Sequence, residues 1–521
     1  MAARAVVSKA TREFILPPDP RVSTVVPGVR EVQFKGSPHL AVPHKHDAVR
    51  FCRNLGYLVP APISIYYDWN GSTPFKTQMI TAALLTMQSR AYVLSEMGTG
   101  KTRATLFAVD YLLREGDIKN CLVVAPLSTL SQVWDREIYQ YFNHLSVGVL
   151  HGDRKRRESV LAQEHQVYVI NHDGPKISTL LPLLVAKQFS CVVLDELAVF
   201  RNREADRWKA MFKIVNPVPY AWGLTGSPMP NEPLDAWAQI KMLTPHRAPP
   251  SARTFKSQTM RPVTTFKWVA KPEANDIVFS AMQPGVRYKR DDCVELPPVS
   301  YIARKAPMTA EQDAAYKKII KTCTAMFAEG EVTAANEGVL FSKLLQIAGG
   351  WVYTKDKKVV ALNNRDRIDE LLQVIDEADG KVIVFAEFKH AAHALQKICA
   401  VAGIDSALVT GDVTKTVRDQ IFTAFQLEAS PRVLIAHPKC MSHGLTLTAA
   451  NHVVWYTPTT SLETYEQANA RITRPGQAKK QLIIHLSGSP IERKMYKRLQ
   501  EKKTLQGALL EMFETGEADG D

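Results

Sequence analysis

Short β-branched apolar runs recur along the chain, and each ends in a polar or glycine-containing loop. One set falls at 91–94, 121–125, 167–170, 191–194 and 221–224. A second falls at 382–385, 407–409, 433–436, 452–455 and 482–486. Runs without apolar–polar alternation predict strands buried on both faces. Between many of them lie segments of helical spacing, such as 102–113 (apolar at Leu106, Val109, Leu112 and Leu113) and 390–401. Strand–helix alternation predicts parallel sheets joined by right-handed crossovers. Two sets of runs predict two α/β domains in tandem rather than one wide sheet.

The material around these sets is different. TPHRAPP at 244–250 breaks the pattern with prolines, and 251–298 has no clear period. Segment 309–348 is predicted helical, with Thr309 as its cap and Gln312 at the capping-box position. The first 60 residues carry nine Lys/Arg against four Asp/Glu and a short helical stretch near 47–55. Segment 491–513 is predicted to be a basic helix. The organisation expected is a small basic module at 1–65, a first α/β domain at 66–245, a linker and helical insertion at 246–365, a second α/β domain at 366–490, and a brace helix and tail at 491–521.

Composition narrows the class. At 521 residues, with 45% hydrophobic and 22% charged positions, the chain has the make-up of a multidomain globular protein. The formal charge of +13 favours a polyanionic partner, nucleic acid before membrane. No apolar run approaches the ~20 residues of a membrane helix. The seven cysteines are scattered without CxxC spacing, which fits a reducing cytosol and indicates neither a zinc ribbon nor a thioredoxin-like site.

Four motifs carry chemistry. SEMGTGKT at 95–102 follows a predicted strand and precedes a predicted helix. Such a turn aims backbone N–H groups and a helix N-terminus at phosphate. Gly98, Thr99 and Gly100 form the cradle, Lys101 reaches the β/γ-phosphates, and Thr102 offers a hydroxyl to Mg²⁺; the alternative is an ordinary glycine turn. Asp195 and Glu196 end the strand VVLDE, as a magnesium-holding acid and a water-activating acid; the alternative is two solvated acids. GLTGSPMPN at 223–231 follows another strand, and its Thr225 and Ser227 could couple the acids to a second domain. In YEQANARITRPGQ, Gln467, Arg471 and Arg474 fall at i, i+4 and i+7, one face of a helix that Pro475 would end. A guanidinium presented there suits transition-state charge on a phosphoryl group; a solvated basic face is the alternative.

These segments, with 123–137, 382–388 and 442–456, resemble the ordered motifs of superfamily 2 helicases, and more narrowly the Swi/Snf-type double-stranded DNA translocases. SEMGTGKT is similar to that family's DEMGLGKT, LTGSPMPN to LTGTPLQN, HGLTLTAA to GLNLTAA, and QANARITRPGQ to QAxxRxHRxGQ. The likeness spans about 70–505 and is greatest to the short phage or bacterial members. It implies two RecA-like domains closing over ATP and Mg²⁺ and stepping along DNA as a monomer. The setting implied is bacterial or phage-infected cytoplasm, or the nucleus if eukaryotic. Gln78 of PFKTQ matches the adenine-reading glutamine. Lys101 and Thr102 match the nucleotide-binding pair, and Arg471 and Arg474 the finger arginines. Pro126, Ser128, Asn171, Thr410, Gly411, Gly444 and Thr448 lie in segments matching nucleic-acid backbone contacts.

Three departures stand out. The acidic box reads DELA, Asn469 replaces Asp, and Thr473 replaces His. None removes a catalytic group. An RNA helicase, an idle nucleic-acid-binding scaffold and a phosphate-loop kinase are the competing classes. The last leaves the second α/β set without a role. The basic run 154–157 suits DNA phosphates or plain solvent equally. His39, His44 and His46 are expected at the surface, and Trp208, Trp222 and Trp237 in the core.

Overall fold

A computed structural model describes residues 5–501 apart from 72, 128, 231, 264–267, 290–292, 294–296, 329–333, 355, 357, 442–445 and 475, with backbone alone at 131, 132, 322–328 and 334–338. The chain divides into two compact units, Met1–Val294 and Glu295–Asp521.

The first unit is built on a seven-stranded parallel sheet. Its order is Gly285–Val286, Arg90–Val93, Tyr220–Leu224, Cys191–Asp195, Cys121–Ala125, Val167–Asn171 and Val147–Leu150. Every neighbouring pair is parallel. Successive residues of each strand enter opposite cores. Val123, Val169 and Val193 pack on one face, and Val124, Ile170 and Leu194 on the other. This double burial is why the sequence shows unbroken apolar runs. Trp222 belongs to the first core, and Trp208 and Trp237 to the second.

The N-terminal residues form a four-stranded antiparallel sheet, ordered Val6–Ser8, Glu13–Leu16, Ser37–Pro43 and Arg30–Phe34, with helix His46–Asn54 beside it. Phe14, Leu16, Val42 and Val49 join the same core as Leu106 and Phe107 of helix Lys101–Arg114. Helices Ala252–Thr259 and Ala274–Ala281 pack Phe255 and Val278 into the other core. Two of the histidines expected at the surface are buried instead. His44 lies between the Tyr66 hydroxyl (2.8 Å) and the Pro60 carbonyl (2.9 Å), and His46 pairs with Asp117 at 2.9 Å. Backbone acceptors and hydroxyls inside the fold give these rings partners that solvent would otherwise supply.

The second unit holds a six-stranded parallel sheet, ordered Val299–Lys305, Gln481–Ser487, Ala450–Trp455, Lys381–Phe385, Val433–Ala436 and Ser406–Val409. Val384 and Ile435 pack on one face, and Phe385 and Leu434 on the other. Helices Ala310–Ala328 and Ala334–Gly349 share a smaller core with Ile491 and Met495 of helix Pro490–Gln500. The Thr309–Gln312 capping box is formed: the Thr309 N–H donates to Gln312 Oε1 at 3.1 Å, and the Gln312 N–H to Thr309 Oγ1 at 3.4 Å. The buried Arg367–Glu492 pair (2.6 Å) ties the C-terminal helix down, and Glu492 also closes that helix's own capping box with Ser489. Lys502 and Lys503 of the basic tail lie outside the described residues.

Candidate active site

Three consecutive strands of the first sheet each end in one of the motifs. The phosphate loop leaves Arg90–Val93, the Thr225–Ser227 turn leaves Tyr220–Leu224, and the acids close Cys191–Asp195. In parallel sheets the C-terminal strand ends are where ligands bind. Gly98 (φ 82) and Gly100 (φ 76) adopt the left-handed backbone that the turn requires, and Gly100 caps helix Lys101–Arg114. Lys101 Nζ donates to the carbonyls of Ser95 (2.7 Å) and Glu96 (3.0 Å), and the Thr99 hydroxyl to that of Glu96 at 2.8 Å. Thr102 is the helix's second residue. Ser95, which replaces the usual first glycine, is buried and accepts the Tyr288 N–H at 3.1 Å.

Gln78 sits directly against this loop. Its Oε1 accepts the Phe75 N–H at 2.9 Å, and its Nε2 donates to the Gly100 carbonyl at 3.3 Å. A Cβ on Gly226 would lie 3.5 Å from the Ser95 carbonyl, so the Thr225–Ser227 turn also touches the loop. Thr225 Oγ1 accepts the Ser227 N–H at 3.2 Å.

Asp195 is held from three sides. Trp134 Nε1 donates to Oδ2 at 2.9 Å, the Glu196 N–H to Oδ1 at 3.1 Å, and His172 Nε2 to the carbonyl at 2.7 Å. Burial raises the Asp195 carboxyl above the usual range, while Trp134 and the Lys101 charge pull it back. Burial pushes His172 down to about 4, so the ring is neutral. Glu196 has φ 51, a strained backbone for a side chain of its size. Trp134 and His172 were not singled out as site residues from the sequence. Trp134 belongs to a π-helical turn, Leu130–Asp135, of the kind that clusters at functional sites. The DELA departure has a packing cause. Leu197 is fully buried, and a Cβ on Gly223 would stand 2.5 Å from its Cδ2.

In the second unit, helix Leu462–Asn469 ends sooner than the spacing predicts. It carries Gln467, whose Nε2 donates to Glu463 at 3.0 Å, but neither arginine. The Arg471 carbonyl accepts the Leu447 N–H at 3.0 Å, which turns the backbone out of the helix. Arg471 Nε instead donates to the Gln467 carbonyl (2.8 Å), and Arg474 Nε to that of Ala470 (3.3 Å), satisfying acceptors a helix end leaves open. Arg471 is buried, and burial lowers Arg474 to about 10, still cationic at neutral pH. Asn469 Oδ1 accepts the Trp455 indole N–H at 2.9 Å, and the buried Thr473 hydroxyl bonds the Asn469 carbonyl.

A model of the SNF2-related domain matches residues 81–349, over half of the chain, and one of the helicase conserved C-terminal domain matches 364–476. The chain belongs to the SNF2-related family. As a member it is a helicase-class ATPase. Protein p41 of Acyrthosiphon pisum secondary endosymbiont phage 1 is 26% identical over 462 residues, covering 81% of this chain and 94% of that protein. The DNA annealing helicase and endonuclease ZRANB3 of Bos taurus is 25% identical over 451 residues, covering 84% of this chain but 40% of its own length. The Sulfolobus solfataricus SWI2/SNF2 ATPase core in complex with dsDNA aligns over 86% of this chain and 94% of that chain, at 21% identity and a TM-score of 0.40.

The SNF2-related chain places its candidate nucleic-acid contacts near strand ends. The Pro126 carbonyl accepts from Thr129, and Asn171 Oδ1 accepts from Arg157 at 3.4 Å. Arg157 belongs to the basic run, which opens helix Arg154–Ala162 under an Asp153 cap. Thr410 is buried, and Gly411 lies against Lys389. Thr448 Oγ1 accepts from Gln426 at 3.3 Å. Ser128 and Gly444 lie outside the described residues. Among the described residues no helix is long and apolar enough to cross a membrane, and no cluster of His, Cys, Asp and Glu could hold a metal by itself.

Proposed function

We propose that this chain is an ATP-driven motor that translocates on DNA, duplex or branched, and remodels it. The observation that carries this reading is the convergence of Lys101, Asp195–Glu196 and Thr225–Ser227 at the ends of three consecutive strands. The DNA-directed relatives support DNA over RNA as the track. The phosphates bind at the loop and helix N-terminus. Gln78 reads adenine from its seat beside Gly100, and Lys101 exchanges its carbonyl partners for phosphate oxygens. The hard oxygens of Thr102 and Asp195 suit Mg²⁺, with Asp195 Oδ2 oriented by Trp134 and Oδ1 by the adjacent Glu196 N–H. When bound, Mg²⁺ neutralises charge on the phosphates. Glu196 orients the attacking water and takes its proton. Arg471 and Arg474 supply transition-state cations, and Thr225 and Ser227 couple hydrolysis to movement.

Pro126, Ser128, Asn171, Thr410, Gly411, Gly444 and Thr448 are proposed to follow the DNA backbone. A setting in bacterial or phage-infected cytoplasm fits the phage relative, and the chain is proposed to act as a monomer. The test is the ATPase rate with duplex, single-stranded and forked DNA and with RNA at one salt concentration, since phosphate contacts weaken steeply with salt. Stimulation by duplex or branched DNA is expected. Equal rates with and without every nucleic acid would refute the motor.

A further inference from the structure

Four adjoining strands of the second sheet end in polar groups that ATP hydrolysis does not use. In sheet order the strands are Ala450–Trp455, Lys381–Phe385, Val433–Ala436 and Ser406–Val409. Just past their C-terminal ends stand Thr457 and Thr459, then Glu387, then His437 and Lys439, then Thr410. Such a crevice is the usual ligand edge of a parallel sheet.

Two oxygens there are shut away from solvent without a hydrogen-bond partner among the described residues: Glu387 Oε2 and Thr410 Oγ1, the latter on a side chain only 1% exposed. Buried polar atoms of this kind call for a ligand or a proton. The rest of the Glu387 environment is set. Its N–H donates to Thr457 Oγ1 at 3.3 Å, and the Thr459 hydroxyl donates to its carboxyl. His437 Nδ1 accepts the Lys439 N–H at 3.2 Å, so Nε2 carries the hydrogen given to the Glu387 carbonyl. Burial holds this imidazole below its ordinary range, and it is neutral at pH 7. Among the described residues, the charged or titratable groups facing Glu387 from the surrounding elements are Lys439 and His437. Lys389 lies beside His437 and is bonded to Asp412 at 2.6 Å. Burial raises the Glu387 carboxyl to about 7 against the pull of Thr459 and Lys439.

One acid beside a lysine and a neutral imidazole is a poor divalent-cation site. Protonated, the same acid is a hydrogen-bond donor among other donors, which is what an anion needs. We infer that this edge binds a nucleic-acid phosphodiester, with Glu387 engaging as the neutral acid and donating to a phosphate oxygen, so that gripping the backbone is coupled to proton uptake from solvent. The inference rests on the proposed DNA-tracking function and adds a proton linkage to it. Negative charge arriving beside the acid raises its pKa further. A rise from about 7 to about 8 would weaken binding about fivefold between pH 6 and pH 8.

The experiment is anisotropy titration of a labelled DNA duplex with the full chain, without nucleotide, at pH 6, 7 and 8 and constant ionic strength. Wild type is expected to lose about fivefold in affinity from pH 6 to pH 8 beyond the slope shown by Glu387→Gln, which is neutral at every pH and therefore lacks this linkage whatever its absolute affinity. Calorimetry of wild type in two buffers of different ionisation heat reads the proton uptake directly and needs no variant. Parallel pH slopes in the two proteins, or zero proton uptake by wild type near pH 7.5, overturn the inference while leaving DNA binding in place. A wild-type chain that binds no duplex at any pH overturns the motor reading as well.

Discussion

Replacing Trp134 by Phe tests how Asp195, the acid proposed to hold magnesium, is tuned. The change keeps an aromatic ring in a fully buried seat and deletes the indole N–H, which donates to Asp195 Oδ2 at 2.9 Å. A hydrogen bond to a charged acceptor contributes about 1.5–3 kcal/mol. One pKa unit corresponds to about 1.4 kcal/mol, so the loss bounds the upward shift of Asp195 at about one to two units. Asp195 is part-exposed, which places the expected shift near one unit. The sign follows from the acid: its ionised form loses a donor, so it holds its proton to higher pH. The acid limb of kcat/KM for DNA-stimulated ATP hydrolysis should move up by about one pH unit, and along that limb half-saturation by Mg²⁺ should rise, by at most about tenfold. Thermal melting separates lost stability from lost chemistry. An unchanged acid limb with an unchanged Mg²⁺ requirement, in a variant that melts like wild type, would refute the role given to Trp134.

Gly100→Ala puts a Cβ 2.2 Å from Gln78 Nε2 on a backbone with φ +76, a conformation costing roughly 1–2 kcal/mol before any clash. The KM for ATP should rise about tenfold with a smaller fall in kcat, read from steady-state kinetics. Arg474→Ala should lower kcat at least a hundredfold while nucleotide affinity, measured with a fluorescent ATP analogue, changes little. Arg367→Ala leaves Glu492 buried and unpaired, so urea unfolding should report a loss of about 3–5 kcal/mol. Paired apolar replacement of both residues should recover most of it. Burial holds His172 near 4 and His485 near 3, well below the unfolded value. The folded state therefore binds fewer protons. The stability these rings contribute is fully present above about pH 6.5 and falls by roughly 1.4 kcal/mol per pH unit for each ring as pH drops toward the folded values, visible in unfolding curves at pH 5 and 7.

Each of the ten apolar runs singled out became a strand, because double burial leaves a signal that needs no knowledge of neighbours. Strands without that signal were illegible. Val147–Leu150 lies at a sheet edge and is interrupted by Gly148. Val299–Lys305 is also an edge strand, with Tyr301 and Ile302 exposed, and Gly285–Val286 is two residues long. The loop and acid motifs could be read because their spacing is local. Trp134 could not, since its partner is 61 residues away and a hydrogen bond of that reach leaves no trace in composition. Regular spacing of Gln467, Arg471 and Arg474 fitted a helix face, but periodicity does not say where a helix stops. A tertiary hydrogen bond from Leu447 decided that.

Where Tyr288 meets the phosphate loop, the first unit ties its ligand-gripping turn to its own last stretch of chain. The Ser95 hydroxyl and the Glu96 N–H both bond residue 288, and the Leu94 N–H bonds Val286, shortly before the unit ends at Val294. A glycine in place of Ser95 would lack one of these tethers. Moving the turn therefore means breaking or dragging these bonds, so any shift of residues 94–96 is shared by residues 286–288 of the same unit.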